Sequence, residues 1–474
     1  MRVVLINPDY MTYGNPPLGL AFLASYLRKF IPNIEIEIYD QIPPSKIIEK
    51  IRNKKPEIIG LTSVALNFYK VKELASRIRK ISNALLVLGG RHITTMPDSF
   101  KNTAFDIGII GEGELTFANL VKSYEKNKNL NIEELKKIPG ILLRDKRKII
   151  NTGLPEMIYN LDDIPMPARD LLNMNYYSIP SFSLGFIKVG SIITSRGCPY
   201  DCRFCSARYF WGRGIRFFSA KRVAEEIELL YKKYGFKKIE IYDDSFSINA
   251  PRLKEIISIL KEKKLLGKIE FICMGTAKGF TEEIASLLKK LNVVDLTFGF
   301  ESGSERVLKY LKKYFSVQDS VNAIEICRKY KIPYSGYFML GSPYETEDDI
   351  IETYNFIKNY CQNFIAYQTV PFPGTEMWDY AVKNKIINEN MYEKEQKEFI
   401  DIDSSYLLTK EISKSRFIEL FSKINSLKVK DNQKKVLEAF TKRPLSVIKE
   451  LFNPYFLKKS LLLRRQFIRR VFGK

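Results

Sequence analysis

Histidine is almost missing from this chain, and cysteine is scarce. His92 is the only histidine among 474 residues, and there are six cysteines. A structural zinc site needs four Cys or His ligands, so the shortage of histidine near the cysteines argues against zinc. So few cysteines, with no signal peptide at the start, argue against a secreted disulfide scaffold and indicate a reducing cytoplasm.

Long apolar runs are also missing. No window of the sequence approaches the roughly eighteen apolar residues that a membrane-spanning helix needs. The 45% hydrophobic content is ordinary for a globular protein, and 474 residues suffice for two or three domains. The net charge is +22, and half of it lies near the carboxyl end, where residues 428–474 hold fourteen Lys or Arg against three acidic residues.

The basic end of the chain contains an amphipathic segment. Residues 456–472 would place most of their apolar side chains on one half of a helix and most of their basic side chains on the other. Such a helix can lie on an anionic membrane surface, or it can pack on the protein and leave its basic face in water. Both interpretations stay open, so we expect a cytoplasmic protein, with membrane association as an open alternative.

Three cysteines stand together in the run Arg196-Gly-Cys-Pro-Tyr-Asp-Cys-Arg-Phe-Cys-Ser206. Cys198, Cys202 and Cys205 have the spacing Cys-x3-Cys-x2-Cys. Three soft thiolates on one loop can bind one face of an iron–sulfur cube and leave the fourth iron open to a small molecule. The alternatives are a zinc site that lacks one ligand and three unrelated loop cysteines.

This loop resembles the signature of the radical S-adenosylmethionine (SAM) superfamily. The resemblance implies a four-iron four-sulfur cluster on Cys198, Cys202 and Cys205, with SAM on the open iron and Phe204 near its adenine. An external one-electron reductant is also implied, because reductive cleavage of SAM gives methionine and a 5′-deoxyadenosyl radical.

The first part of the chain alternates strand-like and helix-like segments. Apolar runs predict strands, and helical periodicity predicts the segments between them. The pattern favours a parallel, doubly wound (Rossmann-like) α/β sheet that binds ligands at the carboxyl ends of its strands. Strands are predicted at 2–7, 34–39, 58–62, 84–88 and 106–110, helices at 20–30, 45–54, 69–81 and 115–125, and a hairpin at 140–150.

This part resembles the cobalamin-binding domain that precedes the catalytic barrel in one radical SAM class. The matching segments are Asn7-Pro8, Pro17-Leu-Gly-Leu20, Gly89-Gly90-x-His92 and Gly111-Glu-Gly-Glu114, with Ser63 placed 26 positions before Gly89. One departure is the absence of an Asp-x-His-x-x-Gly element, which implies a cobalt without a histidine below it. The resemblance implies cobalamin contacts at Ser63, Gly89, Gly90, His92, Gly111 and Glu112.

His92 has two interpretations. A histidine that follows a Gly-Gly pair at a strand end can contact the cobalamin without coordinating cobalt, and we favour this role because the strand end is the expected binding edge. The alternative is a histidine that only caps the following turn.

A second set of strands follows a linker rich in proline and charge. Six strands, predicted at 190–194, 238–242, 269–274, 294–300, 334–339 and 365–370, suit the partial (β/α)6 barrel of the radical SAM family, whose reactive centre lies at the carboxyl ends of the strands. We therefore predict a cobalamin-binding domain at 1–155, a linker at 156–185, the barrel at 186–380 and a helical carboxyl-terminal region at 381–474.

The resemblance also implies SAM contacts at the ends of the barrel strands. Asp243 and Asp244 can receive the SAM ammonium group, although a helix cap explains them nearly as well. Glu301 is a polar SAM contact unless an arginine partner explains it. The fifth-strand element adds Gly336, Met339 and Gly341 near the adenine.

The leading hypothesis is a cobalamin-dependent radical SAM enzyme that methylates an unactivated carbon of a small-molecule or lipid-like substrate. In this class one SAM methylates cobalamin and a second supplies the radical. Related members use the same cofactors for ring formation or oxidation. A tRNA methylthiotransferase would carry cysteines before Cys198 and a β-rich tail, and the sequence has neither, which argues against a nucleic-acid partner. A noncatalytic cobalamin-binding protein with a relict cysteine loop is the remaining alternative.

The membrane interpretation of the basic segment predicts that residues 428–474 carry affinity for anionic liposomes, because about 1 kcal/mol per Lys or Arg is available at such a surface. Cosedimentation of the full chain and of a chain ending at residue 427 checks this, with neutral liposomes as the control. Equal binding by both forms would remove the idea.

Overall fold

A computed structural model describes residues 1–8, 15–127, 131–145, 148–181, 185–394 and 406–427. The predicted basic helix at 456–472 lies outside these residues. None of the helices in the described ranges is both long and apolar enough to cross a membrane.

The chain forms two compact units that do not follow its order. The first contains Met1–Tyr176, Ile192–Glu226 and Pro371–Lys397, and the second contains Tyr177–Ser191, Ile227–Val370 and Glu398–Lys474. The cysteine loop therefore belongs to the same unit as the amino-terminal segments. The predicted limits at 155, 185 and 380 follow the order of the chain and stay a prediction about domains.

A seven-stranded sheet forms the centre of the first unit. Its strands are β1 (Arg2–Ile6), β2 (Glu35–Tyr39), β3 (Ile58–Thr62), β4 (Leu85–Gly89), β5 (Ile107–Ile109), β6 (Ile141–Asp145) and β7 (Lys148–Asn151). Their order is β2-β1-β3-β4-β5-β6-β7, in which β1 to β5 pair in parallel and the β6–β7 hairpin adds antiparallel at the edge. The predicted doubly wound sheet and the hairpin at its end are both confirmed.

Helices connect these strands and cover them. They are α1 (Leu18–Phe30), α2 (Pro44–Lys54), α3 (Phe68–Arg79), α4 (Arg91–Thr95), α5 (Glu114–Asn127) and α6 (Ile132–Leu135). After Arg2, strand β1 is apolar and buried from Val3 to Ile6, because both faces of a parallel sheet are covered. The apolar stripes of α2 and α3 pack with β1, β3 and β4 in one core that includes Ile51, Phe68 and Leu86.

The cysteine loop lies inside a small antiparallel hairpin. Its strands are β11 (Ser195–Cys198) and β12 (Gly214–Phe217), with α7 (Ala207–Trp211) between them. Three strands precede it in the chain: β8 (Ser178–Ser181) and β9 (Gly185–Lys188), which form another hairpin, and the short strand β10 (Gly190–Ile192). The sequence predicted one strand, 190–194, directly before the loop, whereas the structure has a second strand. Gly197, with a φ of +97°, allows the two backbones to approach closely, because a Cβ there would overlap the carbonyl oxygen of Gly214.

The second unit is built on a six-stranded sheet in the order β10-β13-β14-β15-β16-β17. The five strands that follow β12 pair in parallel and are β13 (Lys238–Ile241), β14 (Glu270–Gly275), β15 (Val293–Glu301), β16 (Tyr334–Leu340) and β17 (Phe364–Gln368). All six predicted strands are present, each within two residues of its predicted limits, and the partial barrel is confirmed.

Helices follow the barrel strands in regular alternation. They are α8 (Ala220–Lys232), α9 (Ala250–Glu262), α10 (Glu282–Leu291), α11 (Glu305–Tyr310), α12 (Val317–Tyr330) and α13 (Glu347–Tyr360), followed by α14 (Glu376–Lys383) and a helix at 414–427. Short 3-10 helices occupy Ala65–Asn67, Pro97–Asn102, Leu161–Asp163, Arg169–Leu171, Met174–Tyr176, Phe246–Ile248 and Met391–Glu393. Capping boxes begin α12 at Ser316 and α13 at Thr346, where each cap side chain accepts the N–H of an aspartate three residues on.

We expect Gly197→Ala to destabilise the hairpin and reduce the iron that the cysteine loop retains. A Cβ at this position would overlap the carbonyl oxygen of Gly214. The φ of +97° is also strained for alanine, at a cost of about 1–3 kcal/mol. Gly153→Ala is the matched control, because Gly153 also has a positive φ, of +91°, but open space around it. Denaturant unfolding and iron content would measure the difference, and equal losses in the two variants would contradict the close approach.

Candidate functional site

The three loop cysteines are all half-buried, and none of them forms a disulfide. Cys198 ends β11, the N–H of Cys205 donates to the carbonyl of Cys202 at 3.1 Å, and the N–H of Ala207 donates to the sulfur of Cys205 at 3.5 Å. The described ranges contain no three Cys, His, Asp or Glu side chains that converge on one ion-sized position. An iron–sulfur cube does not require this, because each thiolate binds a different iron. The soft donor set therefore fits such a cluster.

Arg196 joins the cysteine loop to the Gly111–Glu114 loop of the same unit. Its side chain is only 3% exposed, and its two terminal nitrogens lie 2.5 Å from Glu112 and 2.5 Å from Glu114. Its cross-strand neighbour, Arg216, pairs with the other oxygen of Glu112 and donates to the carbonyl of Ile158 at 2.6 Å. Two guanidinium groups and two carboxylates thus share one buried volume.

Electrostatics keep the guanidinium of Arg196 charged. Burial alone would lower the pKa of Arg196, but the charges of Glu114 and Glu112 and their hydrogen bonds raise it above its ordinary value. The guanidinium also lies over the rings of Phe22 and Trp211, 5.4 Å from each centroid. The sequence analysis gave no role of their own to Arg196, Glu114 and Arg216, although their position in or beside recognised motifs was a signal.

The residues predicted to contact cobalamin meet at the carboxyl ends of β3, β4 and β5. The N–H of Ser63 donates to the carbonyl of Gly89 at 2.9 Å, and the N–H of His92 donates to the carbonyl of Ser63 at 3.2 Å. The N–H of Gly111 donates to Thr94 at 2.9 Å. Both oxygens of Glu112 are held by arginines, so the structure shows an anchoring role for Glu112, and its contact with cobalamin stays a prediction.

This edge has features that suit a bulky ligand. Gly90 has φ of +102°, and a Cβ there would overlap the backbone of Ser63. A Cβ at Gly89 would instead meet open space, and Val64, which follows Ser63, is 41% exposed. An open backbone next to an exposed apolar side chain fits a large, partly apolar cofactor such as cobalamin.

His92 is buried rather than exposed at this edge. Its ring stacks on Phe68 with 3.9 Å between the centroids, and neither ring nitrogen has a hydrogen-bond partner in the described part of the chain. Its position inside α4 and its unpartnered nitrogens make the capping alternative wrong. Burial, and then the charge of Lys72, lower its pKa to about 3, so the ring is neutral. A contact with cobalamin stays a prediction.

In the second unit, most of the predicted SAM residues lie at the carboxyl ends of strands. Asp243 and Asp244 follow β13, and Asp243 is 2% exposed. The next α-helix, α9, is capped by Asn249 rather than by either aspartate. Glu301 ends β15 with a φ of +67°, and its carboxylate pairs with Lys313 at 3.2 Å, so its structural partner is a lysine rather than the arginine considered from the sequence.

The two predicted glycines around β16 differ in surroundings. Gly336 faces the opposite side of β16 from Met339, where a Cβ would press on the rings of Phe300 and Phe338. The structure thus gives Gly336 a packing role, and its SAM contact stays a prediction. Gly341 follows β16 with φ of +82°, where a Cβ would press on Leu407.

Glu345 is a further residue that the sequence analysis did not single out. One of its oxygens accepts the N–H of Gly341 and, at 2.9 Å, that of Ser342. Complete burial raises its pKa to about 8 despite these hydrogen bonds, so the carboxyl group is mostly protonated at neutral pH. Glu345 holds the loop that follows β16. Phe204 lies in the cysteine loop of the first unit, and its contact with adenine stays a prediction.

Known proteins resemble this chain over most of its length. Residues 192–357 match the family model of the radical SAM superfamily, and residues 9–121 match that of the B12 binding domain. The uncharacterized methyltransferase PH0819 of Pyrococcus horikoshii is 32% identical over 405 residues, which cover 82% of this chain and 84% of that protein. The anaerobic magnesium-protoporphyrin IX monomethyl ester cyclase of Cereibacter sphaeroides is 28% identical, with 81% of this chain and 66% of that protein covered.

A solved structure shares the fold. It is that of the radical S-adenosylmethionine methyltransferase TsrM from Kitasatospora setae with cobalamin and a 4Fe-4S cluster bound, which superposes with a TM-score of 0.66 at 18% identity. The match covers 81% of this chain and 75% of TsrM.

We expect His92 to make stability depend on pH. Its folded-state pKa, about 3, lies below the ordinary value of 6.5, so unfolding binds a proton between these values. The contribution is fully present above pH 6.5 and is lost as the pH falls, by about 2 kcal/mol between pH 7 and pH 5. In His92→Phe, which keeps the stack on Phe68 and loses no ring hydrogen bond, denaturant unfolding should show a correspondingly smaller loss over this interval. The same pH profile in both proteins would contradict a neutral buried imidazole.

Proposed function

Because the chain belongs to the radical SAM superfamily and carries a B12 binding domain ahead of its radical SAM domain, we propose that it methylates an unactivated carbon of a small-molecule substrate. Its cofactors are a 4Fe-4S cluster, SAM and cobalamin. When bound, cluster and SAM supply a 5′-deoxyadenosyl radical, and cobalamin supplies the methyl group. An external reductant provides the electron.

One observation of the structure carries this proposal. The cysteine loop and the strand-end loops at Ser63, Gly90 and Gly111 belong to the same unit, and Arg196 ties the two regions together through Glu112 and Glu114. Both cofactor regions are therefore held by one rigid set of contacts. The methyltransferase name of a relative that is 32% identical supports the same reaction type.

The residues of the chain have distinct roles in the proposed reaction. Cys198, Cys202 and Cys205 hold the cluster and leave one iron for SAM. Asp243 and Glu301 lie at strand ends where they can bind the SAM amino group, and Glu345 fixes the loop around Gly341. Asp243, Glu301 and Glu345 are buried, which limits the access of water to these carboxyl groups.

A second candidate is a radical cyclase or oxidoreductase with the same cofactors. The 28% identity with a magnesium-protoporphyrin ester cyclase favours it. The two reactions differ in their products from SAM: a methyltransferase forms S-adenosylhomocysteine as well as 5′-deoxyadenosine, whereas a cyclase forms only the latter.

Anaerobic reconstitution with iron, sulfide, hydroxocobalamin and SAM, followed by reduction with dithionite, tests the proposal. Chromatography should detect both S-adenosylhomocysteine and 5′-deoxyadenosine in the wild type. Cys205→Ser should lose 5′-deoxyadenosine at least about hundredfold because the cluster loses a ligand. Cys327→Ser is the matched control, since Cys327 is buried in α12 of the second unit.

The outcomes separate the candidates. If 5′-deoxyadenosine forms without S-adenosylhomocysteine, the cyclase is favoured. If the wild type forms neither product, the enzyme is not of this kind, and a noncatalytic cobalamin protein takes its place.

A further inference from the structure

A continuous line of contacts in the first unit runs from the Gly-Gly pair after β4 to the cysteine loop. The hydroxyl of Thr94 donates to the carbonyl of Gly90 at 2.8 Å and accepts the N–H of Gly111 at 2.9 Å. Glu112 follows Gly111 directly and pairs with Arg196, which stands two residues before Cys198. Each contact fixes the position of the next residue.

Arg196, on β11, connects this line of contacts to the hairpin. Its planar fork reaches two carboxylates at once, and its cross-strand neighbour Arg216 shares one of them. Two arginines directly opposite each other would repel, so the hairpin depends on Glu112 and Glu114 to hold both strands together. A shift of the Gly111–Glu114 loop must therefore move β11, and with it the backbone of Cys198.

Stability alone does not explain this arrangement. Buried ion pairs often add little stability, because the desolvation of the charges offsets their attraction. The fixed, bidentate geometry of arginine is instead suited to holding a defined distance between two loops. The line of contacts begins at Gly90, directly after Gly89, where a Cβ would meet open space and the backbone leaves room for a bulky ligand.

We propose that Arg196 is a positioning residue that couples cobalamin binding at the strand-end loops to the geometry of the cluster on Cys198, Cys202 and Cys205. Thr94 is the second member of this coupling, because it connects the Gly90 end to Gly111. The inference rests on the proposed function, since it needs both cofactors in one protein.

Coupling between two binding sites is reciprocal, so it can be measured from the cobalamin side alone. Equilibrium dialysis of hydroxocobalamin against cluster-free and cluster-loaded full-length protein gives two dissociation constants. For the wild type we expect these to differ by at least about fivefold, which is the lower end of the usual range for coupled sites. The measurement does not depend on turnover.

Arg196→Lys is the informative variant. A lysine keeps the positive charge but is a single point charge that does not span Glu112 and Glu114 together. We expect the ratio of dissociation constants to fall to within about twofold of one, and the same for Thr94→Val, which keeps the shape of the side chain and removes the hydroxyl. The Mössbauer spectrum of the iron-enriched cluster should respond to hydroxocobalamin in the wild type and not in these variants.

Arg169→Lys is the matched control. Arg169 forms a buried ion pair with Glu226 in the same unit, with side chains 1% and 5% exposed, but neither residue borders the cysteine loop in sequence. This variant should keep the wild-type ratio, which separates a general loss of a buried arginine from a loss of coupling. If Arg196→Lys does not fold, Thr94→Val decides by the same ratio.

The outcomes also separate this inference from the proposed function. Hydroxocobalamin binding with the same affinity to both forms of the wild type, or an unchanged ratio in Arg196→Lys, overturns the coupling and leaves the SAM product assay standing. Failure of the wild type to bind hydroxocobalamin overturns the proposed function, and the coupling with it.

Discussion

Four charged groups share one nearly water-free volume in the first unit, and their mutual neutralisation constrains everything around them. Arg196 and Arg216 contribute two positive charges from neighbouring strands, and they are balanced by Glu112, in the loop after β5, and by Glu114, the first residue of α5. Removal of one partner from a buried pair costs about 3–5 kcal/mol, because the remaining charge has no water to solvate it. The hairpin that carries Cys198 and the amino-terminal sheet are thus held in one arrangement by charge balance.

Sheet topology is the second constraint, because it places the other candidate site residues at the ends of parallel strands. In a parallel sheet every strand delivers its carboxyl end to one edge, so residues far apart in sequence become neighbours. In the first unit this edge gathers Ser63, Gly90 and Gly111. In the second unit the corresponding edge gathers Asp243, Glu301 and Gly341, and two of these three have a positive φ. Of these two, only Glu301 is strained, since glycine adopts a positive φ freely, and strained residues of this kind cluster at ligand-binding sites.

The sequence was sufficient for the order of strands and helices but not for the contacts of buried polar groups. Apolar runs and periodicity predicted both sheets, because burial of apolar side chains dominates the choice of element. The extra strand β11 was missed, because its Ser-Arg-Gly-Cys run has no apolar signal. The partners of Glu112 were missed as well, since ion pairs 84 and 104 residues apart leave no periodic trace.

His92 shows the same limit for a single side chain. Its place after a Gly-Gly pair predicted a position at the ligand edge, and its backbone is there, bonded to Ser63. The ring, however, turns into an aromatic cluster with Phe68 and Tyr392, where it stays neutral. Side-chain direction depends on the packing of elements that are distant in sequence, so spacing alone does not predict it.

In the proposed function a carboxylate of the second unit binds the amino group of SAM, and the charges at its strand ends help to choose among the candidates. Glu345 is mostly protonated at neutral pH because it is fully buried, and one of its oxygens is used by two backbone N–H groups, so it offers little negative charge to a ligand. Glu301 already pairs with Lys313, which cancels much of its field. Asp243 follows β13, is 2% exposed and does not serve as the cap of α9. An ammonium group gains less from a carboxylate that a lysine already compensates, so the pairing with Lys313 weakens the case for Glu301 as the residue that binds the SAM amino group.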